Sequence, residues 1–146
     1  MSSSQCFTQK IEQVKQHHYE AIRILRNQHK DSFLSDQEID SETHEKFMNH
    51  HAATYRVAIN LEGTVVGFIG HVGGDVRLAT RKDTMRSGVA SFLWERFKLE
   101  FEGLTVKVKR DNKRSMAFFE NMGWKVDSSQ WEAGSDPVPL VIAKGT

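Results

Sequence analysis

The feature that most narrows the folds open to this chain is a strand, a polar loop, a helix and a second strand in direct succession. Asp75 to Thr80 follows Gly73-Gly74 as an extended run, and Arg81 to Ser87 is a polar loop. A helix then begins near Gly88 with Val89, Phe92, Leu93, Phe97 and Phe101 on one stripe. Leu104 to Lys109 alternates Leu104, Val106 and Val108 with polar neighbours, as a half-buried strand does. Such a unit implies two neighbouring parallel strands. Just upstream, Tyr55, Val57, Ile59 and Leu61 alternate with polar or small residues, Glu62-Gly63 makes a turn, and Val65 to Gly70 runs apolar, which reads as a hairpin.

Downstream, Lys113 to Met122 reads as a short helix stopped by Gly123, and Trp124 to Val126 and Val138 to Ala143 as two closing strands. At the other end, Ile11, Val14, His18, Ile22 and Leu25 recur at three- and four-residue steps and predict a helix over 11–25. A second helix is expected from about Asp40 to His50, capped by Asp40 or Ser41 and packed through Phe47 and Met48. The expected fold class is α/β, with a mixed, mostly antiparallel central sheet flanked by helices. With no repeat and both prolines, Pro137 and Pro139, near the end, residues 1–146 read as a single domain.

Composition removes several function classes. No run of about 18 apolar residues occurs, and Met1-Ser2-Ser3-Ser4-Gln5 lacks an export signal's apolar stretch, so no membrane partner and a cytoplasmic location are expected. Twenty Lys plus Arg against nineteen Asp plus Glu leave a formal charge of +1, which gives no global field for a polyanion, so nucleic acid is not an expected partner. Cys6 is the single cysteine and forms no internal disulfide, which suits a reducing compartment. His17-His18, His44 and His50-His51 fall in no ligand frame with an acidic residue, so no metal is expected. Lys107, Lys109, Arg110, Lys113 and Arg114 form one basic cluster, a solvated face or a contact to an anion.

The segment Met85-Arg86-Ser87-Gly88-Val89-Ala90, leading into a helix, is followed by Asn112-Lys113-Arg114-Ser115-Met116-Ala117-Phe118-Phe119-Glu120-Asn121-Met122-Gly123-Trp124. Together they resemble the GNAT superfamily of acyl-CoA N-acyltransferases, over roughly residues 55 to 143. The first half is similar to the family's Gln/Arg-x-x-Gly-x-Gly/Ala phosphate loop, the second to its Asn-x-x-Ala/Ser-x-x-aromatic-Tyr-x-x-x-Gly-Phe/Trp signature. The chemistry gives its own reason for these residue types. A pyrophosphate at a helix start needs several backbone N–H groups pointing one way, and Ser87, Gly88 and Ala90 let the backbone approach closely. Gly88 also suits an ordinary loop-to-helix junction, Asn112 a helix cap, and Arg86 a solvent-facing loop.

The resemblance implies a splayed parallel strand pair, with the pantetheine arm of acetyl-CoA in the gap. Leu78 and Thr80 would be its backbone partners with Ala79 between them, and Asn112 and Ser115 would face it. The amine would attack the thioester directly, with backbone N–H groups near Leu78 and Ala79 stabilising the oxyanion. Two departures stand out. Met85 replaces the usual Gln or Arg, and Phe119 occupies the aromatic position where many members carry a proton-donating tyrosine. Coenzyme A leaves as a thiolate whose conjugate acid has a pKa of roughly 8.5, so water can protonate it. Tyr55 is a possible substitute acid or a sheet-surface aromatic. For the base, Asp75 and His71 are the candidates, against a turn residue and a solvated imidazole.

Arg26-Asn27, Phe33, Ile39, His44 and Phe47 resemble the Arg-Asn, Phe, Ile, His, Phe/Trp pattern of members that acylate amino sugars attached to nucleotides. A peptide N-terminus, a polyamine or another small amine remains open as acceptor. The expected function is therefore acetyl transfer from acetyl-CoA to a primary amine, by a monomer or homodimer. The alternative is a catalytically silent acyl-CoA-binding or protein-interaction module of the same fold.

Overall fold

The computed structural model describes residues 10–29, 38–82, 88–132 and 134–142. The expectations at Cys6, Phe33, Met85, Arg86, Ser87 and Ala143 lie outside the described residues. Seven strands make one sheet: β1 (Lys10–Gln13), β2 (Tyr55–Ile59), β3 (Val65–Val72), β4 (Asp75–Thr80), β5 (Thr105–Val108), β6 (Trp124–Val126) and β7 (Val138–Ile142). Their spatial order is β1-β2-β3-β4-β5-β7-β6. Every pairing is antiparallel except that of β4 with β5. The helices are α1 (Tyr19–Gln28), α2 (Ser41–His51), α3 (Val89–Phe97) and α4 (Lys113–Asn121). The fold is thus the α/β class the sequence implies, a mixed and mostly antiparallel sheet flanked by helices.

Local chemistry sets the element boundaries. Asp40 Oδ1 accepts the Thr43 N–H at 2.8 Å and starts α2, and Asn112 Oδ1 accepts the Ser115 N–H at 3.2 Å and starts α4. Asn60 Oδ1 takes the N–H groups of Glu62 and Thr64, which folds the turn between β2 and β3.

One expectation needs correction. Residues 11–25 are not one helix: Lys10–Gln13 is an edge strand paired with β2, and α1 begins only at Tyr19. The spacing of His18, Ile22 and Leu25 is helical and all three are buried. Ile11 and Val14 fall on the same lattice by coincidence, while the open edge of β2 offers Ile11 a row of hydrogen-bond partners. A short turn at Gln16–His18 separates the two, and His18 Nδ1 accepts the Lys15 N–H at 3.0 Å there.

Strand alternation divides the core between the two faces of the sheet. On one, Val66, Ile69, Val76, Val106 and Leu140 pack with Leu93, Trp94 and Phe97 of α3 and Phe119 of α4. On the other, Tyr55, Val57, Phe68 and Ala79 meet Ile22 and Leu25 of α1 and Met48 of α2. Burying these side chains supplies about 1.5–3 kcal/mol each, which offsets the chain entropy lost on ordering.

Tyr55 is only 3% exposed, so it is a core residue and not a surface aromatic. It stands opposite Gly70 in the β2–β3 register, and a Cβ built on Gly70 would lie 2.3 Å from Tyr55 Cγ. The ring therefore lies flat across a backbone that carries no side chain. Gly70→Ala should destabilise the protein by about 1–3 kcal/mol through overpacking, read as a lower urea midpoint with an unchanged slope.

Candidate functional site

The parallel pairing of β4 with β5 is confined to Asp75 opposite Thr105, sealed by the Thr105 N–H donating to Gly74 O at 2.8 Å. Beyond that point a cleft of about 350 Å³ runs between the two strands. Val76 to Leu78 form one side of it and Val106 to Val108 the other. At one end it is walled by Asn112, Ser115 and Phe119 of α4. At the other it opens onto Arg26 of α1, His44 of α2, and Tyr55.

Among the described residues, the main chain of β4 turns hydrogen-bonding groups that lack a partner toward this opening. Arg81 N–H donates to Val66 O at 2.8 Å, which fixes the phase of the β3–β4 ladder. In an antiparallel ladder the hydrogen-bonded residues alternate, so Ala79, opposite Phe68, turns its N–H and C=O to β3. Leu78 and Thr80 turn theirs to the wedge. Ala79 therefore cannot donate its amide to a group in the wedge, contrary to its expected share in an oxyanion site. The Thr80 carbonyl is taken as well: His29, at the end of α1, reaches it with Nε2 at 2.6 Å.

The two expected bases part company. Asp75 lines the cleft and lies 3.6 Å from the Arg77 guanidinium. His71 is excluded by the pleat: its ring faces α3, 4.7 Å from the Phe101 ring and 6.0 Å from that of Phe97, on the opposite side of the sheet from Arg26 and His44. Its Nδ1 accepts the Gly74 N–H at 3.1 Å, a turn-forming role.

The donor-side residues divide similarly. Asn112 spends Oδ1 on the α4 cap, so only its Nδ2–H donors remain for a ligand. Phe119 is buried against Trp124, ring centroids 5.5 Å apart, and gives the wedge an apolar wall. Gly88 has φ +95°, a left-handed conformation at the start of α3 that a Cβ disfavours, so the local turn alone accounts for glycine there. Val89 puts its side chain in the core and has only its main chain to offer; Ala90 is half-buried beside it. None of Gly88, Val89 and Ala90 lines the cleft.

Sequence reading underrated three residues here. Tyr55 lies in the cleft next to Arg77, and burial pushes its hydroxyl up to about 12 against the opposing pull of that cation, so it stays protonated and is a poor acid. Arg77 was hidden in strand alternation, whose period puts it on the same face as Asp75 and Tyr55. His44 is 4% exposed and lines the cleft; burial first, then the Arg23 and Arg26 charges, hold its imidazole below the ordinary value of 6.5.

No family model and no curated protein matches the sequence. Solved structures do. A ribosomal-protein-alanine N-acetyltransferase from Brucella melitensis is 16% identical over 90% of this chain and 96% of that one, with a TM-score of 0.69. A GNAT-family acetyltransferase from Streptococcus pneumoniae is 16% identical over 92% and 98%, with a TM-score of 0.66. The fold is that of the GNAT acetyltransferases. YncA from Salmonella typhimurium, solved with its cofactor acetyl-CoA, is a further neighbour at 14% identity, covering 90% of this chain and 89% of that one, with a TM-score of 0.69. Among the described residues no group of three or more His, Cys, Asp or Glu side chains converges, and no helix is long and apolar enough to cross a membrane.

His29 and His44 are both depressed chiefly by burial, so the unfolded chain binds protons that the folded protein resists. Their contribution to stability is complete above the unfolded value near 6.5 and is lost as pH falls through the lower folded values. The urea midpoint should drop between pH 7.5 and pH 5.5, and His29→Gln and His44→Gln should each reduce that drop.

Proposed function

We propose that this protein is an N-acetyltransferase that transfers the acetyl group of acetyl-CoA to a primary amine. The observation that carries the reading is the wedge: a strand edge whose Leu78 N–H and C=O and Thr80 N–H have no partner among the described residues, opening onto a cleft lined with acid–base groups. An arm built of amides suits such an edge, because each unpaired N–H or C=O of β4 gains a partner it lacks. Leu78 C=O and Thr80 N–H would hold that arm, with Asn112 Nδ2 and Ser115 along α4, which leaves Leu78 N–H for the thioester carbonyl. The first amides of α3, at Val89 and Ala90, together with Gly88 and the Met85, Arg86 and Ser87 loop, would hold its phosphates. Bound there, acetyl-CoA supplies an acetyl thioester.

The chain's own groups do the rest. Asp75 faces the incoming ammonium and draws it into the cleft. His44, neutral at pH 7, takes its proton, and the uncharged amine attacks the thioester carbonyl. Leu78 N–H donates to the developing oxyanion. A C–N bond forms as the C–S bond breaks, the nitrogen releases its second proton to water, and the departing thiolate takes a proton from water. Phe119 shapes the wall and moves no proton.

The test is release of free thiol from acetyl-CoA with a panel of primary amines, amino sugars and peptides included. Turnover above the amine-free rate is expected. His44→Gln should lower kcat by about 10²-fold or more with the KM for acetyl-CoA unchanged. Thermal stabilisation by acetyl-CoA without thiol release across the panel would identify instead a silent acyl-CoA-binding module, a reading that the absence of an acid at Phe119 favours.

A further inference from the structure

The segment that enters α2 is held by side chains and not by secondary structure. Residues 38–40 are neither helix nor strand, so the N–H and C=O of Ile39 have no ladder to join. Asn27, near the end of α1, takes both. Its Oδ1 accepts the Ile39 N–H at 3.0 Å, and its Nδ2 donates to the Ile39 carbonyl at 3.1 Å. The same carbonyl accepts from Arg23 Nη1 at 3.1 Å, and Glu20 Oε1 holds the Arg23 Nε–H at 3.1 Å. A carboxamide suits this place because it carries a donor and an acceptor side by side, as the main chain of one residue does.

This clamp lies one residue ahead of the α2 cap. Asp40 follows Ile39 directly, caps α2 through the Thr43 N–H, and accepts the His44 N–H on its carbonyl at 3.0 Å. Ile39 and His44 both line the cleft. Further along α2, Met48 shares a core with Ile22 and Leu25. Apolar contact is non-directional, whereas two hydrogen bonds to one residue fix both distance and angle.

We propose that Asn27 is a positioning residue: by clamping the main chain of Ile39 it sets where α2 begins, and so where the His44 imidazole stands in the cleft. The inference rests on the acetyltransferase reading with His44 as the base, and adds the residue that aims it. Asn27 is not among the residues lining the cleft, so its effect passes through Ile39 and α2. Misplacing a reacting group by about 1 Å can cost about 10²-fold in rate.

A double-mutant cycle in the thiol-release assay tests this, with the amine that turns over fastest. Asn27→Ala should lower kcat at least tenfold while KM for acetyl-CoA stays within twofold. In a His44→Gln background the same substitution should lower kcat less than twofold, because the group it aims is already gone. Asn27→Asp keeps the acceptor for the Ile39 N–H and loses the donor. It is carried through the same cycle, so that a poorly folding alanine variant leaves the coupling measurable. An undiminished kcat in both variants, or an equal loss with and without His44, overturns the proposal and leaves the acetyltransferase reading intact.

If no amine releases thiol, or His44→Gln costs no activity, the enzymatic reading or its choice of base fails instead, and the clamp is read in the free protein. The His44 ring resonance is assigned by its loss in His44→Gln and followed with pH; Glu20, Arg23 and Arg26 are the charged groups that act on it. In Asn27→Ala it should titrate closer to the ordinary value of 6.5, as the ring gains water. A His44 titration identical to that of the wild-type protein overturns the proposal.

Discussion

One short stretch of parallel pairing governs this molecule. Asp75 and Thr105 lie side by side, tied by the Thr105 N–H to Gly74 O, and after them β4 and β5 diverge. A sheet normally consumes every main-chain group of its inner strands. Here the antiparallel partners β3 and β7 hold the two strands from their outer sides, which lets the inner edges stay open without unravelling the sheet. The cleft is therefore an interruption enclosed by intact pairing.

Electrostatics in that interruption follow from burial. His44 in the cleft and His29 on the Thr80 carbonyl are held below the ordinary imidazole value chiefly by the loss of water, so each can take part in a hydrogen bond without adding charge. The arginines cannot respond that way, because guanidinium keeps its proton in proteins. Among the described residues that line the cleft, charge is carried by Arg26, Arg77 and Lys107, with Asp75 beside Arg77.

Much of this was legible in the sequence. The strand, helix, strand order read from Asp75 to Lys109 gave the parallel pair, since a helical crossover leaves few other topologies. Helix starts at Asp40 and Asn112 were readable because a cap is a local hydrogen bond. The strand at Lys10–Gln13 was not, because what makes it a strand is the edge of β2, some 45 residues later in the chain. The same distinction separates the site residues. Leu78 and Thr80 are what the resemblance implies from one local strand, whereas the loss of His71 to the far face, and the gathering of Arg26, His44, Tyr55 and Arg77, depend on how α1 and α2 lie across the sheet.

The ring of Tyr55 resting on Gly70 has a consequence for how such a chain diverges. The two positions lie 15 residues apart in the sequence yet share a single volume, so neither drifts alone. A lineage that adds a carbon at 70 has to shrink the neighbour at 55, and in doing so removes a hydroxyl from beside Arg77. The chemistry of the cleft wall and the packing of the sheet are linked at this one spot, and relatives with a different residue at either position should carry a compensating change at the other.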